Sequence, residues 1–168
     1  MKRTLILILI ILLLAGCASA PVEQETPTSS PIVTEPVSTP TETIPLAKVS
    51  FTLYLPDENA EHFLETTIET DQITAEGVLK LLQEHDVMPD SVALNSFSSE
   101  GSQLIMDFNQ AFGDLVCSTG TAGELMITGS VFNTFLNAFQ ADSIVFTVEG
   151  EILESGHVIY DFPITHMD

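Results

Sequence analysis

Positive charge is nearly missing from this sequence. Its 168 residues hold 4 lysines and arginines against 24 aspartates and glutamates, a formal net charge of −20. Such a surface repels phosphate backbones, which excludes nucleic-acid binding, and it repels anionic lipid headgroups as well. Tryptophan is absent and only Tyr54 and Tyr160 represent tyrosine, so platforms on which sugars stack are scarce. The usual catalytic signatures are missing too: there is no HExxH, no GxSxG or SxxK, and no lysine-bearing phosphate loop. The 24 acids offer many pairs to a carboxylate hydrolase, but nothing selects one. His62, His85, His157 and His166 form no close pair, and the set His157, Asp161 and His166 matches no familiar ligand spacing. The acidic stretch at residues 57–61 lacks the glycine and alternating ligands of an EF-hand, and supports at most a weak surface calcium site. The expectation is a non-enzymatic protein with no cofactor and no metal.

What is present begins at the N-terminus. Lys2 and Arg3 precede an unbroken apolar run over residues 5–14, followed by Ala15, Gly16 and Cys17. About ten residues are too few to cross a bilayer as a finished helix, but they match a secretory h-region. Leu14-Ala15-Gly16-Cys17 looks like a bacterial lipobox, which is cut before a cysteine whose sulfur carries diacylglycerol. This predicts a signal peptide over residues 1–16, lipidation at Cys17, and a place at the extracytoplasmic face of the cell membrane. Losing Lys2 and Arg3 would leave Lys48 and Lys80 as the last cations, so the acyl group must hold the membrane without a polybasic helper.

Residues 17–45 read as a tether. Six prolines recur among Ser, Thr and four glutamates, with no apolar period able to bury a face. Such a chain is mainly polyproline II and reaches about 3.1 Å per residue.

Residues 46–168 are enough for one core. Val49, Phe51, Leu53 and Leu55 alternate with Ser50, Thr52 and Tyr54, and a second alternating run at residues 62–70 completes a hairpin with one wet face. Thr74 is placed to cap a helix reaching about His85, with Ala75, Val78, Leu79 and Leu82 inward. Strands follow at residues 92–97 and 103–108, then a connection at 108–117 with room for one helical turn. A long helix over residues 121–139 comes next, then a strand at 143–150 turning at Glu149-Gly150. The order ββαββαβ predicts an α+β fold, with two helices on one face of a mainly antiparallel sheet.

The start of the long helix carries Gly120 and Gly123 just after Cys117. Thr121 with Glu124 three residues on fits a capping box, which accounts for the stretch without a phosphate. Leu125, Val131, Phe132, Phe135, Leu136 and Phe139 make an apolar stripe. Cys117 has no second free cysteine to pair with, and is expected to be a small buried packing residue.

Four segments in order resemble the GerMN domain, the sporulation and spore-germination module of GerM lipoproteins. They are VSFTLYLPDENAE, SQLIMDFNQAF, GTAGELMITGSVFNTFLNAF and SIVFTVEGEILESGH. The most specific pieces are Asp107-Phe108, the helix from Glu124 to Phe135 with its core at residues 131–135, and Glu149-Gly150 with Gly156-His157. The resemblance implies a single copy of a non-catalytic module that assembles or scaffolds at the outer membrane face, through an envelope protein or itself. Its links are to sporulation, germination or cell-wall metabolism. It carries over no catalytic residue. Asp107, Asn133 and His157 match polar positions, for which caps and buried hydrogen bonds are the expected roles. The alternative is peptidoglycan binding, with cleavage ranked below it.

Overall fold

The computed structural model describes residues 48–168, so Cys17, the signal-like run and the proline-rich tether lie outside the described residues. The first alternating run forms β1 (Val49–Pro56), paired antiparallel with β2 (Phe63–Thr70). Thr74 caps α1 (Ala75–Glu84) as expected, its Oγ1 accepting the Gly77 N–H at 3.0 Å. Then come β3 (Leu94–Glu100), β4 (Gln103–Phe108), α2 (Gln110–Cys117), α3 (Thr121–Phe139) and β5 (Ser143–Val148).

The α+β class and the order of the seven expected elements hold, with three refinements. The 108–117 connection is a full helix, α2, because Phe112 and Val116 recur at helical spacing and are both completely buried. The strands form two sheets, β1-β2 and β3-β4-β5. Within the second sheet β4 and β5 run parallel, which the α2–α3 crossover between them makes possible.

The outer edge of β1 is occupied by α3: Asn137 Oδ1 accepts the Thr52 N–H at 2.6 Å, and Thr134 Oγ1 accepts the Tyr54 N–H at 3.0 Å. No strand can pair there. Tyr54, expected on the wet face, is consequently buried, its ring edge-on to His166.

The long helix is also not the half-wet stripe its spacing suggests. Every residue from Thr128 to Leu136 is buried, because α3 packs against β1, α1, α2 and β5 at once. Phe132 lies 4.8 Å from Phe146 of β5 and 6.3 Å from Phe112 of α2, ring centroid to centroid, and Phe112 stacks on Phe108 at 4.1 Å. This aromatic cluster is the centre of the core.

Candidate functional site

The three polar residues singled out from sequence fall in three separate places. Asp107 is a hub near the end of β4. One carboxylate oxygen accepts the Thr147 hydroxyl at 2.5 Å and the Gly150 N–H at 2.8 Å, and the other accepts the Asn95 amide at 3.0 Å. It thus joins all three strands of the second sheet to the turn at Glu149 and Gly150, where both residues have positive φ (52° and 79°). The Thr147 hydrogen bond, assisted by Gly150 and Asn95, holds the Asp107 carboxyl below its ordinary range. Asp57 is held low in the same sense by the Glu61 and His62 N–H groups, which makes it the cap of its own turn.

The sign of the resulting pH dependence is fixed. A carboxyl whose folded pKa is depressed stabilises the fold above its unfolded value, about 3.9, and that contribution is lost as pH falls through the folded value. Asp107→Asn should therefore flatten the acid limb of a Tm-against-pH profile, leaving the part that belongs to Asp57. An unchanged acid limb would contradict this assignment.

Asn133, fully buried in α3, donates to the Met167 carbonyl at 2.7 Å and accepts the Met167 N–H at 2.8 Å. It pins the C-terminal segment to the helix. Asn133→Ala should cost about 1–3 kcal/mol and release protection at the Met167 amide, measurable by hydrogen exchange. His157 is exposed, and it is not gathered with Asp161 and His166 into any cluster fit for a metal among the described residues.

Two expectations about the helix start are corrected. Gly120, not Thr121, is the N-cap of α3, and no side-chain cap bond forms, so the Thr121–Glu124 capping box is absent. Glu124 instead turns inward, because positions 124, 128, 131 and 135 share the core-facing side of the helix. Cys117 is exposed rather than buried, since α2 ends there and its outer side faces solvent. Desolvation, with the Glu124 and Asp114 charges, pushes its thiol pKa up, the opposite of an activated thiol.

Two surfaces among the described residues stand out as places where something else can bind. The first is the outer edge of β2. Because the Thr52 and Tyr54 amides point away from β2, their partners in register, Thr67 and Glu65, are non-hydrogen-bonded pairs whose own N–H and C=O groups point outward. Glu65, Thr67 and Leu64 are all exposed there. The corresponding edge of β5 is closed by the C-terminal segment, where Ile144 and Ile164 exchange two backbone hydrogen bonds of 2.8 Å.

The second is a cavity of about 460 Å³ between the start of α3 and the C-terminal segment, with Glu124, Leu125, Tyr160, Phe162 and Met167 in its walls. Tyr160 donates its hydroxyl to Glu124 Oε1 at 2.6 Å, and burial together with that bond raises the phenol's pKa. Spacing along α3 is the signal that could have revealed Glu124: it lies one turn before buried Thr128 on the same side. No local pattern marks Tyr160, which is 36 residues away.

Comparison with known proteins bears on the whole arrangement. The profile of the Germane family, described as sporulation and spore germination, matches residues 52–154. A search of the curated proteins finds no match. Among solved structures, the first GerMN domain of the sporulation protein GerM from Bacillus subtilis superposes with a TM-score of 0.52 at 16% identity, covering 71% of this chain and 99% of that one. The tandem GerMN domains of the same protein give 0.48 at 16% identity over 77% of this chain and 50% of theirs, so this chain spans about half their length. A candidate lipoprotein from Clostridium perfringens gives 0.48 at 15% identity, over 70% and 87% of the two chains.

Proposed function

This chain belongs to the Germane family of sporulation and spore germination, and from that premise we propose that it is a lipid-anchored interaction domain that recruits an envelope protein by strand addition to β2. Cys17 carries the anchor, and residues 18–45 hold the domain off the membrane at the extracytoplasmic face. The observation that supports this reading most is the asymmetry of the edges. The outer side of β1 is filled by Thr134 and Asn137 and that of β5 by Ile164; of the two edges left open, β3 breaks register between Leu94 and Ser96, whereas β2 is regular and presents outward amides.

The charge on that edge narrows the partner. Glu65 and Glu69 flank Thr67, so two β2 edges meeting would set like charges face to face. A strand carrying lysine or arginine fits better than a second copy. Anchoring both proteins at one membrane raises their effective concentration, so a weak single contact suffices.

Thr67→Pro tests the edge directly. It removes one outward N–H without touching the β1–β2 ladder, so the Tm should move little while binding is lost. Photoreactive residues at positions 65 and 69 of the full lipoprotein, crosslinked in living cells, should capture one or two envelope proteins, and adding Thr67→Pro should abolish the capture. Recovery of wall fragments instead, with cosedimentation on purified sacculi, would replace this reading with peptidoglycan binding.

A further inference from the structure

We propose that the cavity between the start of α3 and the C-terminal segment binds a small organic ammonium ion, its apolar body against Leu125, Phe162 and Met167 and its N–H donors on the Glu124 carboxylate. The site is independent of the β2 edge. Its central observation is an unmet acceptor. Glu124 is only 3% exposed, Oε1 takes the Tyr160 hydroxyl, and Oε2 is buried with no hydrogen-bond partner. A buried carboxylate oxygen without a donor is costly, and native folds rarely leave one.

The chain has little with which to satisfy it. Among the described residues the only lysines are Lys48 and Lys80; neither lines the cavity, and Lys80 faces Glu84 at 3.5 Å. His166, at the cavity wall, has its Nδ1 3.7 Å from Asp168. Thr128, beside Glu124, spends its hydroxyl on the Glu124 backbone carbonyl at 2.7 Å. Thr121 and Thr165 also line the cavity, yet no hydroxyl, amide or ring N–H of the described residues bonds Oε2, which leaves it open to a donor from outside.

The rest of the cavity selects against a bare inorganic cation. Leu125 and Phe162 stand at the rim 39% and 49% exposed, large apolar surfaces with nothing over them. At about 460 Å³ the space is in the range of small-molecule sites, which are mostly apolar with a few placed polar groups. An ammonium with an apolar body answers both the carboxylate and the rim. A carboxylate or phosphate ligand would meet the negative charge of Glu124 at close range.

Calorimetric titration of the full lipoprotein in nanodiscs, blanked against empty nanodiscs, tests this with four probes: 2-phenylethylammonium, the neutral isostere 2-phenylethanol, 3-phenylpropionate and tetramethylammonium. The expected result is binding of 2-phenylethylammonium at least about tenfold tighter than the alcohol, a charge-assisted hydrogen bond being the difference. Phenylpropionate should not bind. Glu124→Gln should erase the preference for the ammonium. Phe162→Ala, a rim change that leaves the core intact, should weaken ammonium and alcohol together, and it decides the matter if Glu124→Gln fails to fold. Equal affinity for alcohol and ammonium, tetramethylammonium binding as tightly as 2-phenylethylammonium, a preference that survives Glu124→Gln, unchanged affinities in Phe162→Ala, or no binding would each overturn the proposal.

Discussion

Phe132→Ala is expected to destabilise the domain by about 3–5 kcal/mol, the usual cost of removing a buried phenylalanine. Phe132 is 0% exposed and sits where α3 meets both α2 and β5, in a triangle of rings with Phe112 and Phe146. The cavity left behind cannot collapse easily. Its walls belong to three different elements, and each is tied elsewhere: β5 to β4 along its whole length, α2 to the end of β4 through Phe108 and Phe112. Small domains have only about 5–15 kcal/mol in total, so this one change removes a large share. Urea unfolding should show a lowered midpoint with an unchanged slope. A loss below about 1 kcal/mol would mean that the aromatic cluster repacks freely, contrary to the close-packed core described here.

The second large effect is a reversal of sign. Glycine in mid-helix ordinarily costs about 1 kcal/mol relative to alanine, so Gly129→Ala in α3 should help. Here a Cβ at Gly129 would lie 2.2 Å from Cζ of Phe63 and 2.9 Å from its Cε1. Phe63 begins β2, in register with Pro56, and its ring rests on the bare backbone of the helix. To admit the methyl the ring must swing out or the hairpin must lift. Overpacking of this kind costs about 1–3 kcal/mol, so Gly129→Ala should be net destabilising despite its better helix propensity. In a Phe63→Ala background the obstruction is gone, and the same substitution should stabilise by up to about 1 kcal/mol. A double-mutant cycle reads the coupling directly. Stabilisation in both backgrounds would mean that Phe63 yields at no cost. The contact also bears on the proposed docking edge, because it sets where the N-terminal end of β2 sits and so where its open edge begins.

Local pattern carried well where one element decided the outcome. The alternation of Phe51 and Leu53 gave β1, Thr74 three residues before Gly77 gave the cap of α1, and Glu149-Gly150 gave the turn after β5. It failed where a residue could serve two partners. Thr121 and Glu124 have the spacing of a capping box, yet Gly120 caps the helix and Glu124 faces Tyr160. The capping-box spacing and the helical spacing to Thr128 both mark Glu124, and only its meeting with Tyr160, 36 residues on, decides between those two fates. Cys117 has a composition that suits a core, and ends exposed because α2 stops at that residue.

By itself the sequence determined the α+β class, the order of most elements, the family, and the strongly acidic character of the chain. These depend on period, capping and charge, which are written within single segments. Tertiary structure alone decided that α3 is buried on all sides from Thr128 to Leu136, that Thr134 and Asn137 close β1 and leave β2 open, and that Glu124 keeps an unmet oxygen beside a cavity. Each of those depends on which surfaces meet across separations such as the 85 residues between Thr52 and Asn137. The free energy of such a meeting belongs to two distant segments jointly, and neither segment records it alone.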